Sequence, residues 1–93
     1  MANIARVVAT NEWQKVEDLV EGFTPEADSK YQIQNIGSVS LQIYEGAEEP
    51  TNEKDGFVLT LNKGAIYTKK TDEYLFIRSM DDEKVAVMNI ASI

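Results

Sequence analysis

The chain has 93 residues, with 9 lysines and arginines against 16 aspartates and glutamates, no cysteine, no histidine and a net charge of −7. Without those two residue types there are no disulfides, no thiolate nucleophile, no Ser–His relay and no Cys- or His-built metal centre. A surplus of carboxylates opposes a grip on phosphate backbones, so no nucleic-acid partner is expected, and no cofactor is expected either.

In chain order, residues 4–9 are short and β-branched and predict an opening strand. Residues 11–23 are ambiguous. Trp13, Val16, Leu19 and Phe23 recur at helical spacing, Asn11 with Gln14 resembles a capping box, and Gly22 suits a helix end. Trp13, Val16 and Val20 also fit strands broken by a bulge. The segment is therefore read as strand, with a short helix near 12–21 as the alternative.

Residues 24–30 form a polar loop around Pro25. From Tyr31 to Tyr44 apolar residues occupy alternate positions: Tyr31 and Ile33, then Val39, Leu41 and Ile43, with Gln32, Gln34, Ser40 and Gln42 between them. That pattern predicts a half-buried antiparallel hairpin closing near Gly37 and Ser38. Residues 45–56 are rich in turn formers, and Phe57, Leu59 and Leu61 alternate again. Asn62, Lys63 and Gly64 turn the chain into residues 65–68. The run 74–80 is apolar on both faces, as a central strand would be. Residues 81–84 make a polar turn into a last strand at 85–91. Seven or eight short strands in one domain, residues 1–93, predict an all-β antiparallel sandwich or barrel.

Candidate sites are few. The carboxylates Glu45, Glu48, Glu49 and Glu53, with Asp81, Asp82 and Glu83, are the acid–base groups available, but they lie in turns, where acidic side chains serve backbone geometry. Asn52 to Gly56 resembles a short calcium loop yet lacks the alternating ligand pattern and its closing glutamate. Asp55-Gly56 reads instead as a turn needing positive φ at glycine. Trp13 and the tyrosines could stack on sugars, which makes a soluble carbohydrate-binding module the alternative function. Core anchoring is the simpler use of those rings. The amide-rich positions Gln32, Gln34 and Gln42 can face solvent or accept another subunit. No apolar run could span a bilayer as a helix, and the first residues lack the charged and apolar regions of a signal peptide, so a cytosolic or assembly compartment is expected without membrane contact.

The stretch Tyr31-Gln-Ile-Gln-Asn35-Ile-Gly37, the Pro50-Thr51 loop, Gly56 before an apolar strand, and Asn62-Lys63-Gly64 resemble small β-sandwich virion proteins of tailed bacteriophages. The closing pair around residues 75–79 and 84–87 has a similar layout. The resemblance covers roughly residues 31–91. It implies a non-enzymatic structural protein of the decoration, neck, tail or fibre type, assembled in the bacterial host cytoplasm and residing in the virion. Its partners would be copies of itself in a homo-oligomer and other head or tail proteins. Gln32, Gln34, Gln42, Tyr44, Pro50 and Tyr67 are the expected interface residues, and Asn35 a structural or interface group.

Overall fold

The computed structural model describes residues 2–52 and 55–93. Eight strands and one helical turn follow in order: β1 (Ala2–Ala9), β2 (Gln14–Lys15), α1 (Val16–Leu19), β3 (Lys30–Asn35), β4 (Leu41–Gly46), β5 (Phe57–Leu59), β6 (Gly64–Thr68), β7 (Tyr74–Ser79) and β8 (Ala86–Ser92). They form two antiparallel four-stranded sheets, β1-β8-β3-β6 and β2-β7-β4-β5, so the chain is an all-β sandwich.

Alternation builds the core. Val7, Ile33, Tyr67, Met88 and Ile90 face inward from the first sheet, and Leu41, Ile43, Leu59, Leu75 and Ile77 from the second. Residues 74–79 do form a central strand. β7 lies between β2 and β4, and Leu75, Phe76 and Ile77 are all buried although they alternate between its faces.

The 31–44 segment corrects the hairpin expectation. β3 pairs with β6 and β8, whereas β4 pairs with β5 and β7, so the chain crosses between sheets at residues 36–40. Both arrangements bury Tyr31, Ile33, Leu41 and Ile43, because a sandwich takes inward residues from both sheets. Asn35 selects the crossing. It is fully buried; its Nδ2 donates to the carbonyls of Val39 and Leu59, each at 2.9 Å, and its Oδ1 accepts from the Gly37 N–H at 3.0 Å. Its backbone N–H and carbonyl bond Lys63 and Asn62. One residue thus ties the end of β3, the end of β5 and the turn before β6 together, its side chain reaching Leu59 and its backbone Asn62 and Lys63.

Residues 11–23 divide between the two expectations: β2 is a two-residue strand and α1 a single turn closed by Val20 N–H to the Val16 carbonyl. The helix has no side-chain cap; Gln14 accepts from Thr10 instead of completing a box with Asn11. Four residues cannot hold a helix alone, so α1 persists because Val16 is packed into the core. Gly22, at φ 77°, reverses the chain after it.

Candidate functional site

The two outer faces of the sandwich differ. On the first sheet, strand register places Arg6 and Val8 of β1, Val87, Asn89 and Ala91 of β8, Lys30, Gln32 and Gln34 of β3, and Gly64, Ile66 and Thr68 of β6 on the same side. None is a carboxylate. In a chain carrying 16 acidic residues, the described part of this face holds amides, small and β-branched side chains, and two cations, Arg6 midway along β1 and Lys30 at the start of β3. At its β6 margin, Gly64 leaves a shallow groove between Gln34 and Ile66, and the Gln34 amide donates to the Asn62 carbonyl at 3.2 Å.

The outer face of the second sheet is covered. Arg78 Nε donates to Gln42 Oε1 at 2.7 Å, Arg78 also reaches the Asn11 carbonyl at 3.4 Å, and its guanidinium lies 5.6 Å from the Trp13 ring. Gln42 in turn donates to the Asp55 carbonyl at 3.4 Å. An open cleft of about 850 Å³ remains, lined by Asn11, Glu12, Trp13, Glu49, Pro50, Thr51, Asn52 and Arg78. The rings beside it meet at angles: Trp13 and Tyr44 at 64°, Tyr44 and Phe76 at 49°. Tyr74 is occupied by Lys15 at 3.9 Å and Lys69 at 4.8 Å. These rings pack against one another and against cations, and they do not form a flat platform for a sugar.

The expected interface residues therefore separate. Gln32 and Gln34 are exposed side by side on the first sheet. Tyr44 is half-buried beneath Trp13. Gln42 and Tyr67, each 3 % exposed, are buried within the chain, and Pro50 is buried in the wall of the open cleft between the exposed Glu49 and Thr51. Gln42 differs from Gln32 and Gln34 because the sheet crossing puts it on the opposite outer face, against Arg78 and the Asp55 carbonyl. Tyr67 points inward and stacks on Tyr31 at 6.0 Å. Sequence reasoning missed Arg78 as an organiser of the covered face, and its signal was a charge inside an otherwise apolar central strand.

Asp81 behaves as a turn former, whereas Glu45, expected in a loop, lies within β4 because that strand runs on to Gly46. Asp81 Oδ1 accepts from the Glu83 and Lys84 N–H groups, both at 2.8 Å, and these bonds hold its carboxyl below the ordinary aspartate range. Glu45 opposes Leu75, while Asp81 to Glu83 follow Ser79 at the other end of β7. Gly56 has the positive φ expected of its turn, 97°. Glu53 and Lys54 lie outside the described residues, and no metal-holding group of three acidic side chains occurs among the described ones. Nor is any described helix long and apolar enough to cross a membrane.

Burial, and then the charges of Glu17, Glu45 and Glu73 with the Tyr31 ring, push the Tyr67 phenol well above its ordinary pKa of 10.0. In the unfolded chain the phenol ionises near pH 10, whereas in the fold it keeps its proton. Its contribution is whole below that pH and is lost as pH rises beyond it. The urea midpoint is therefore expected to fall between about pH 9 and pH 11, and to fall less in Tyr67→Phe. An equal fall in both proteins would contradict the assignment to Tyr67.

No protein-family model, curated protein or solved structure matches this chain.

Proposed function

We propose that this chain is a non-enzymatic structural protein of a tailed-bacteriophage virion, assembling through the surfaces of its sandwich. One observation carries the reading: the outer face of the β1-β8-β3-β6 sheet is free of carboxylates among the described residues, although the chain as a whole bears −7. Acidic surfaces repel one another and hold water, and a face that is to be covered sheds them in favour of amides and apolar groups. The resemblance of residues 31–91 to small virion sandwiches supports the phage setting. Tyr67 and Gln42 are buried inside the fold, so the docking role is assigned to Gln32, Gln34, Asn89 and Ile66 on the carboxylate-free face.

The test is retention on particles. Virions purified from a host lysate that expresses the chain should carry it through a density gradient in stoichiometric amount. Its absence from intact particles, with the soluble protein present in the same lysate, would remove the virion reading.

A further inference from the structure

We infer that two copies of this chain pair through the β5–β6 side of the sandwich, about a two-fold axis perpendicular to the sheets, making each sheet continuous with its mate. The inference rests on the assembly reading above and specifies its first step. β5 and β6 each end a sheet, so their outward backbone N–H and C=O groups have no strand partner among the described residues. Both lie on the same side, because Asn35 holds Leu59 and the Asn62–Lys63 turn at one point.

Natural edge strands are protected by charge, proline or a bulge. β6 has none of these: Gly64-Ala65-Ile66-Tyr67-Thr68 is uncharged, and Ile66 at its centre is 56 % exposed. β5 presents Phe57 at 75 % and Val58 at 49 %, and Leu61 of the connecting turn is 46 % exposed. These four account for much of the exposed apolar surface and flank the same two edges.

Charge selects a second copy and its orientation. At the end of β6 away from Asn35 lie Asp28, Glu45, Asp55, Asp72 and Glu73, opposed by Lys30, by Lys70 and by Lys69, whose ammonium is turned onto the Lys70 and Glu73 carbonyls, which leaves this end acidic. At the Asn35 end of the same side the described charge is Lys63. A two-fold axis along the strands would set acidic end against acidic end. An axis along the sheet normal sets the acidic end of each copy against Lys63 of the other, twice, and lays β6 antiparallel to its mate with the Ile66 residues central. Strand direction and charge thus agree on one arrangement.

Because the chain has no cysteine, a single introduced thiol is a unique reporter. Opposed residues in an antiparallel pair have Cα atoms about 4.5–5.5 Å apart, within disulfide reach. Under mild oxidation Ile66→Cys should form covalent dimer at least about ten-fold faster than Val8→Cys, whose site is exposed on β1 at the far edge of the same sheet. Circular dichroism verifies that both variants are folded. Equal rates, or a wild-type mass that stays monomeric by light scattering at every concentration, would overturn the pairing. The two readings fail separately: a chain that sediments with virions but does not cross-link loses only the dimer. A chain that cross-links but is missing from virions loses only the virion role.

Discussion

Asn35→Leu is expected to cost about 4 kcal/mol of folding stability. The amide meets two carbonyls and one N–H inside a site with no solvent exposure. Leucine fills similar volume but leaves the Val39 and Leu59 carbonyls and the Gly37 N–H unanswered, at roughly 1–3 kcal/mol for each buried group left without a partner. The damage extends beyond the bonds, because this one side chain keeps β3 and β4 in separate sheets. Urea unfolding followed by Trp13 fluorescence gives the difference directly. A loss under about 1 kcal/mol would mean that the crossing is held by core packing and not by the amide.

Gly56→Ala should follow closely, at about 3 kcal/mol. The backbone there stands at φ 97°, where a side chain is strained whatever the space around it. A Cβ would also collide with the Ile43 carbonyl oxygen and sit 3.4 Å from the Trp13 ring. The first contact is with backbone inside the β4–β5 ladder, so relief requires the edge strand to move away from Ile43. Its movement would also shift the Asp55 carbonyl that Gln42 holds and uncover Trp13. The expected signature is therefore double: a lower urea midpoint and a red-shifted tryptophan emission in the folded protein. A variant with native emission and native midpoint would show that the loop tolerates the change.

Much of this sandwich was legible in the sequence because its physics is local. Alternation located β3, β4 and β5, the apolar run at 74–80 identified a central strand, and Asp55-Gly56 announced a positive φ. What could not be read was which strands are neighbours. The alternation from Tyr31 to Ile43 is the same for a hairpin as for a crossing between facing sheets, and the decision rests on Asn35 reaching Leu59, 24 residues away. That one ambiguity propagated to the site. Gln32, Gln34 and Gln42 share a polar phase along the chain but lie on opposite outer faces, one bare and one covered. Tyr67 similarly stood among the expected interface residues, whereas the β3–β6 register sets it inward against Tyr31. At residues 11–20 the helical and strand signals overlap, and the chain uses both in six residues, with Val16 burial fixing the turn. The carboxylate-free face was invisible in one dimension, since it is assembled from four strands between residues 6 and 91.

The central claim is that this bare face docks onto the particle, and the most direct measurement is binding of a Gln34→Glu/Asn89→Glu variant to virions stripped of the protein. Both side chains lie on the outer face, opposite one another in the β3–β8 ladder, so the substitutions should change stability by no more than about 0.5 kcal/mol apiece. Two carboxylates buried against a partner would lose their hydration without a counter-charge, and retention is expected to fall at least about 100-fold. Retention equal to wild type, with the fold intact, would contradict the claim and move the docking surface elsewhere on the sandwich.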